Sequence, residues 1–254
     1  MIQPRTIDLG ATVAGVRLPF CAMNASGARS GTAGDLRSLA RSEAGAIVLK
    51  TATIHPFVHP AFRTLHNPGY DKLLPLVSEL AAAASCPIVA SIAGATADEY
   101  ATLARAFGEA GAAMIEANVA DPYVAATLAP FEERDALPRL LEKLAGASPV
   151  PVSLKLPDRI ALPYRVLGDA MRAAGVRVVI AKNDFPGLEK LRLEAGPDLE
   201  LIAVGGIQSG YDVFRALAKG AKAVQVGSAL VTEGPAVFAR LAREMRLARS
   251  ESRG

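Results

Sequence analysis

The chain has 254 residues, of which 51% are hydrophobic and 21% are charged. This composition is typical of a folded protein with a large core, and it excludes an intrinsically disordered chain. The net charge of +3 is small and the basic residues are scattered along the chain, which argues against a nucleic-acid-binding function.

Cysteines and apolar runs indicate the compartment. Cys21 and Cys86 lie in apolar stretches, so we expect buried thiols in a reducing environment and no disulfide framework. No apolar run reaches the roughly 18 residues of a membrane-spanning helix, and the N-terminus lacks the apolar core of a signal peptide. We therefore expect a cytoplasmic protein, and the length suits one domain over residues 1–254.

The chain predicts a short hairpin at residues 6–18, followed by alternating strands and helices. Strands are expected as short apolar runs at residues 19–24, 46–51, 87–92, 113–118, 151–156, 177–181 and 199–204, with a last strand ending before Gly227. Helices are expected at residues 32–42, 69–84, 95–110, 134–144, 161–174, 187–193 and 235–247, and after each of two glycine turns within residues 199–230. Two irregular segments, 52–67 and 119–132, are long enough to suggest functional loops.

Continuous apolar strands are typical of a parallel sheet that is buried on both faces. Their alternation with helices indicates an α/β fold, and about eight strand–helix units favour a (β/α)8 TIM barrel over an open sheet. The hairpin would cover the floor of this barrel. Because chemistry in such barrels lies at the C-terminal ends of the strands, polar residues at those ends are the candidates for a site.

Two glycine turns, Gly205-Gly206 and Gly227-Ser228, follow the last two strands and open helices. Free backbone N–H groups and the helix dipole at such turns favour a bound phosphate. In β/α barrels, the loops after the last two strands are the usual phosphate site.

Two lysines, Lys50 and Lys155, interrupt otherwise apolar strands. An unpaired buried lysine is costly, so the pair indicates an anionic or electron-accepting ligand. Alternatively, each ammonium group reaches water at the rim.

Asn118 and Asn183 also end strands, and their amides offer both a donor and an acceptor to a flat heterocycle. The alternative for each is an Asx turn that leaves the strand. The three histidines, His55, His59 and His66, lie in one proline-broken loop without an acidic or cysteine cluster, so we expect no metal site.

The ordered set of motifs resembles the dihydroorotate dehydrogenase family. The motifs are NASG (24–27), KT (50–51), NPG (67–69), SIAG (91–94), N-x-x-x-P (118–122), SLKLP (153–157), VGGIQSG (204–210) and VQVGSAL (224–230). The resemblance implies an FMN-binding β/α barrel that oxidises dihydroorotate to orotate. It also implies a soluble electron acceptor or an electron-transfer subunit, and family habit implies a homodimer.

Carried over by position, the resemblance assigns roles to individual residues. Those expected to hold FMN are Ala25, Ser26, Gly27, Lys50, Thr51, Asn118, Lys155, Gly205, Gly206, Gly227 and Ser228. Those expected to bind substrate are Lys50, Asn67, Asn118, Asn183 and Asp184. Asp121 and Lys50 are the expected catalytic residues. A lysine beside the isoalloxazine ring would stabilise the negative charge that the ring gains on reduction.

The chain departs from the family at the substrate end. Asp121 stands where the family has a Cys or Ser base, and Tyr123 replaces a substrate-binding asparagine. Ala61 or Phe62 replaces another asparagine, and residues 185–198 are shorter than the family's glycine-rich insertion. An aspartate is a weak base unless burial raises its pKa, and Asp121 could equally be a solvated loop residue.

These departures leave two alternative functions open. One is a divergent flavin-binding paralogue with a different substrate or with no catalytic activity. The other is a flavin-free barrel lyase or isomerase that binds a substrate phosphate and uses Lys50 or Lys155 for a Schiff base.

Overall fold

A computed structural model of the protein describes residues 8–27, 29–58, 66–120, 135–158, 160, 162–183 and 187–251. Eight parallel strands form a nearly closed barrel in the sheet order β3-β12-β11-β10-β9-β8-β7-β4. Their bounds are β3 Ala22–Asn24, β4 Ile47–Val48, β7 Ile88–Ile92, β8 Met114–Asn118, β9 Val152–Lys155, β10 Val178–Lys182, β11 Glu200–Val204 and β12 Ala221–Val226. Two antiparallel pairs lie outside the barrel, β1 Ala11–Val13 with β2 Val16–Leu18, and β5 Phe57–Val58 with β6 His66–Asn67. The (β/α)8 prediction is confirmed.

Helices follow the barrel strands, as the alternation predicts. In the described part of the chain they are α1 Ala33–Ala40, α2 Leu74–Ala83, α3 Ala97–Glu109, α4 Ala136–Ala147, α5 Tyr164–Ala173, α6 Gly187–Ala195, α7 Gly210–Ala218, α8 Ser228–Glu233 and α9 Ala236–Glu251. Their boundaries fall within a few residues of the expected ones, with one larger difference. The helix expected over residues 69–84 is a 3-10 turn, Tyr70–Lys72, followed by α2. Pro75 explains the break, because proline lacks an N–H and is tolerated only in the first turn of a helix.

The N-terminal hairpin closes the floor of the barrel, as expected. Its turn, Ala14-Gly15, has positive φ values of 46° and 81°, the geometry of a tight two-residue hairpin. Val13 and Leu18 are fully or almost fully buried, and they join barrel residues such as Met114 in one apolar cluster. The Glu200 carboxylate accepts a 2.7 Å hydrogen bond from the Ala14 backbone N–H, which ties the hairpin to β11.

The barrel has a seam between β3 and β4, where the sheet order ends. A side chain bridges it. The Asn24 amide donates to the Val48 carbonyl at 2.6 Å and accepts from the Val48 N–H at 2.8 Å. Asn24 is completely buried, so its amide replaces a pair of ladder hydrogen bonds in a place that water does not reach.

Substitution of Asn24 by alanine tests this bridge. Asn24→Ala leaves a buried N–H and a buried carbonyl of Val48 without these partners, and we expect it to cost about 2–4 kcal/mol of unfolding free energy. Urea denaturation followed by circular dichroism measures the loss. Ser153→Ala is the matched control, because Ser153 is an equally buried strand residue whose hydroxyl donates only to the Ile115 carbonyl. Equal losses for the two variants would contradict the bridging role.

Candidate functional site

The two glycine turns lie side by side at the C-terminal rim. The Gln208 side chain, at the end of the first turn, donates a 2.6 Å hydrogen bond to the Ser228 hydroxyl at the start of α8. Gly205 and Gly206 have positive φ values of 89° and 69°, which favour glycine. A methyl group added at Gly206 would meet nothing within 4 Å, and one at Gly227 would meet only the Ala25 methyl at 4.0 Å. Within the described part of the chain, no neighbouring side chain fills the space beside Gly206 or Gly227, so that space is available to a ligand.

The first turn is held from outside by α9. Arg240 donates to the Gln208 carbonyl at 2.9 Å, and the Glu244 carboxylate accepts from the Gly210 N–H at 2.6 Å. Ser209 and Asp212 form a reciprocal capping box at the start of α7. These contacts fix the backbone before any ligand arrives, which reduces the ordering cost of binding.

A completely buried carboxylate, Glu116 of β8, lies at the centre of the barrel mouth. Its Oε1 accepts from the Ser26 hydroxyl at 2.6 Å and from the Ser91 hydroxyl at 2.8 Å. Its Oε2 accepts from the Gln225 amide at 2.5 Å. The Lys155 ammonium lies 3.3 Å from Oε1 and supplies the opposite charge.

The surroundings of Glu116 favour its ionised form. Burial raises the pKa of this carboxyl, but the Lys155 charge and the hydrogen bonds from Ser26, Gln225 and Ser91 outweigh burial and hold the pKa below its ordinary value. The carboxylate accepts hydrogen bonds from Ser26, Ser91, Lys155 and Gln225, so a proton on it would displace one of these donors. The site thus contains a permanent buried negative charge at neutral pH.

Lys155 is the cation of this cluster. Its ammonium donates to Ser26 at 2.9 Å and to Gln225 and Glu116 at 3.3 Å each, and the side chain is 12% exposed. The two 3.3 Å contacts are long for charge-assisted hydrogen bonds, so a ligand acceptor can replace one at small cost. Lys50 is half-buried, and its stem packs against Gly31.

A hydrogen-bond chain leads from Glu116 to Asn118. The Ser91 hydroxyl uses its hydrogen on Glu116, so the 3.0 Å contact between Ser91 and Thr51 has Thr51 as the donor. The Asn118 amide nitrogen in turn donates to Thr51 at 2.9 Å. The hydrogen bonds of this series all run from Asn118 toward Glu116. They therefore require that the NH2 end of the Asn118 amide faces Thr51.

Two predicted substrate residues carry unmatched polar atoms. The Asn67 oxygen accepts from the Gly69 N–H at 3.0 Å, and it lies 3.0 Å from the Thr53 hydroxyl, which donates to the His55 carbonyl at 2.5 Å. Its amide nitrogen is buried and has no partner among the described residues, and the same holds for the side-chain oxygen of Asn183. A buried unmatched donor and a buried unmatched acceptor are costly, and a polar ligand would satisfy both.

The structure brings some of the predicted residues together and leaves others undescribed. Ser26, Thr51, Asn118 and Lys155 meet in the network around Glu116, and the loop through Ala25 lies beside Gly227. Asp121 and Asp184 lie outside the described residues, as do Tyr123, Ala61 and Phe62. Their roles stay predictions.

Three network residues, Glu116, Ser91 and Gln225, were not among the predicted site residues. Each is a polar residue inside an apolar strand, in AMIEAN, IVASI and AVQVG. That is the same signal that singled out Lys50 and Lys155. A buried carboxylate needs a counter-charge, so Glu116 and Lys155 could have been paired on this ground.

Comparisons with known proteins identify the family of the chain. A family model described as dihydroorotate dehydrogenase matches residues 63–186 and 168–248. The catalytic subunit of dihydroorotate dehydrogenase B (NAD(+)) from Methanothermobacter thermautotrophicus is 27% identical, with 86% of each chain covered. Dihydroorotate dehydrogenase A (fumarate) from Lactococcus lactis subsp. lactis is also 27% identical, with 89% of each chain covered.

The fold has a solved counterpart. The chain superimposes on ligand-free DHODH from Eimeria tenella with a TM-score of 0.79 at 14% identity, covering 96% of this chain and 88% of the other. The protein is thus a β/α barrel with a charged polar network and two glycine turns at its C-terminal rim. It belongs to the dihydroorotate dehydrogenase family. Within the described ranges, no helix combines the length and apolarity needed to cross a bilayer.

The lowered pKa of Glu116 predicts an acid-sensitive contribution to stability. The folded-state pKa lies below the unfolded value of 4.5, so the unfolded chain takes up the proton first. The contribution is fully present above about pH 4.5 and is lost as the pH falls through the lower folded-state pKa. Urea unfolding of the wild type and of Glu116→Gln at several pH values between about 7 and 3 measures it. We expect the difference in unfolding free energy between the wild type and Glu116→Gln to become smaller below about pH 4.5. A difference that does not change with pH would contradict an ionised Glu116.

Proposed function

We propose that residues 1–254 form one FMN-binding domain that oxidises dihydroorotate, or a closely related small cyclic substrate, to orotate or its counterpart. The observation that carries the proposal is the Lys155 ammonium at the barrel mouth, on the same rim as two adjacent glycine turns with open space above them. The family of the chain supports the same activity.

The described residues fit FMN. Gly205, Gly206, Gly227 and Ser228 would hold the phosphate, because the space beside Gly206 and Gly227 leaves room for it and Gly227 is the residue before α8. Ala25, Ser26, Gly27, Lys50, Thr51, Asn118 and Lys155 would surround the ring. When bound, FMN supplies the acceptor for a hydride.

The chain's own groups would bind and orient the substrate. The unmatched Asn67 nitrogen can donate to a substrate carbonyl or carboxylate, and the unmatched Asn183 oxygen can accept from a ring N–H. Asn118, Lys50 and Asp184 would complete the contacts, with Lys50 near the substrate carboxylate. Asp121 would take the proton that leaves beside the hydride.

The electron acceptor would be soluble. The name of the Lactococcus lactis relative specifies fumarate. The name of the Methanothermobacter thermautotrophicus relative specifies NAD(+) and a catalytic subunit. We infer a cytoplasmic protein that uses a small acceptor of this kind or an electron-transfer subunit, and that forms a homodimer.

A second candidate is a divergent paralogue that keeps FMN but acts on another substrate or on none. Its support lies in Asp121 and Tyr123, which replace the family's base and substrate-binding asparagine. The short connection from β10 to β11, filled by α6 alone among its described residues, adds to it. The flavin-free lyase is disfavoured by family membership.

The absorbance spectrum of the purified protein separates these functions. Flavin bands between roughly 370 and 460 nm exclude the flavin-free lyase. A colourless protein that takes up no added FMN contradicts the proposed function. If the protein is yellow, anaerobic dihydroorotate should bleach it; unchanged bands would favour the paralogue.

Gly227→Ala tests the phosphate end. Gly227 has a φ of −108° and open space around it, so a methyl group should leave the fold intact while it occupies the ligand's approach. We expect FMN affinity to fall about tenfold or more, which corresponds to roughly 1.4 kcal/mol, with little change in unfolding of the apoprotein. Gly146→Ala, at an exposed helix position with nothing within 4 Å, is the matched control and should bind FMN normally. Equal FMN affinities for the two variants would show that the phosphate does not bind at Gly227.

Asp121→Asn tests the base. An amide cannot take the substrate proton, so flavin reduction by dihydroorotate in a stopped-flow experiment should slow by about 100-fold or more. FMN binding should be unaffected. A wild-type rate in the variant would show that another group is the base.

A further inference from the structure

The buried carboxylate of Glu116 has no role in the proposed function as stated above, and it lies too deep to touch a substrate. It is 0% exposed, beneath a lysine that is itself 12% exposed. A buried charge of this kind costs stability unless it is paired and fully hydrogen-bonded. Its contacts lead in two directions, toward Lys155 and toward Asn118.

We infer that Glu116 is a positioning residue that orients both the Lys155 ammonium and the Asn118 amide for their ligands. The inference rests on the proposed function, in which Lys155 faces FMN and Asn118 faces FMN and substrate. It adds a residue that acts on both ligands through other side chains.

The first branch of the network holds Lys155. The Ser26 hydroxyl donates to Glu116 and thereby presents its oxygen to Lys155 at 2.9 Å. Gln225 donates its amide nitrogen to Glu116 and thereby turns its oxygen toward Lys155 at 3.3 Å. Both acceptors of Lys155 are therefore oriented by the same carboxylate, which also attracts the ammonium directly.

The second branch holds Asn118. Because Glu116 accepts from Ser91, Ser91 accepts from Thr51, and Thr51 accepts from Asn118. The carboxylate accepts hydrogen bonds only, so the direction of every bond in this branch follows from it. The amide nitrogen of Asn118 is thereby turned to Thr51, and its oxygen accepts from the Ala120 N–H at 3.2 Å.

Glu116→Gln separates the two branches. The new amide keeps an oxygen for Ser91 and Ser26 but puts an NH2 group opposite the Gln225 nitrogen. Gln225 must then turn over, which points its own NH2 group at Lys155. Lys155 loses the charge partner and one acceptor, whereas the branch to Asn118 keeps its direction.

A double-mutant cycle on the FMN dissociation constant tests the Lys155 branch. In the wild type, Lys155→Met should weaken FMN binding about tenfold, as expected for a charge-assisted hydrogen bond. In the Glu116→Gln background, we expect the same substitution to change the constant less than about twofold. An equal cost in both backgrounds would overturn this branch, since Lys155 would then act without Glu116.

A second variant serves if Glu116→Gln fails to fold. Ser26→Ala removes the 2.9 Å contact of Lys155 in a loop that is only half-buried. In the Ser26→Ala background, Lys155→Met should raise the FMN dissociation constant clearly less than it does in the wild type. The midpoint potential of bound FMN gives an independent readout, because Lys155→Met should lower it in the wild type and much less in either background.

Orotate binding, followed by the change in flavin absorbance, tests the Asn118 branch. Ser91→Ala cuts this series of hydrogen bonds and should weaken orotate binding to the FMN-saturated protein about fivefold to tenfold. Ser153→Ala is the matched control, because this buried strand serine lies beside Glu116 in the sheet but donates only to the Ile115 carbonyl. Equal orotate constants for the two variants would overturn this branch.

The outcomes separate this inference from the function on which it rests. A wild-type protein that takes up no FMN contradicts the proposed function and, with it, the inference. A wild-type protein that binds FMN but not orotate contradicts both the proposed substrate and the Asn118 branch. One that binds both, with additive cycles and an ineffective Ser91→Ala, overturns the inference alone.

Discussion

One buried negative charge organises the candidate site. The Glu116 carboxylate has no contact with water, so it must be neutralised and hydrogen-bonded by the protein itself. Meeting that requirement determines the orientation of a lysine, a glutamine and two serines around it. The mouth of the barrel therefore has a fixed polarity before any ligand binds, which is the kind of preorganisation that flavin and acyl-transfer sites use to stabilise developing charge.

The barrel makes this arrangement possible by bringing distant strands to one point. Glu116 lies on β8, with Ser91 on the neighbouring β7 and Lys155 on the neighbouring β9. Gln225 lies on β12, four places along the sheet, and 109 residues away in the chain. The network thus crosses the interior from one wall to the other. On the floor side of the barrel, an apolar cluster that includes Met23 and Met114 fills the interior.

The fold could be predicted from the sequence because it follows from periodicity. Buried parallel strands leave continuous apolar runs, and each run in this chain corresponds to a strand that is found within a few residues of the expected place. The break before α2 was not predicted, since a single proline shifts the start of a helix without changing the apolar pattern.

The candidate site could be predicted only in part. Local motifs identified the glycine turns, whose chemistry depends on neighbours in the chain, and they identified Lys155 as a lysine inside an apolar strand. Glu116, Ser91 and Gln225 carry the same local signal, a polar residue inside an apolar strand, but which partners they meet depends on residues of other strands. Which side chains meet across the barrel interior depends on the folded structure, and the spacing of motifs along the chain does not contain it.

The seam at Asn24 has a consequence for how substitutions act in this chain. Elsewhere in the barrel, neighbouring strands are joined by backbone groups that every residue except proline provides, so substitutions leave the joints unchanged. Between β3 and β4 part of the joint is a side chain, and a single nucleotide change can remove it. Ser26 follows Asn24 by only two positions, so the same change would also loosen the hydroxyl that bridges Lys155 and Glu116. At this position, closure of the barrel and alignment of the candidate site depend on the same short segment of the chain, so a substitution here acts on stability and on the site together.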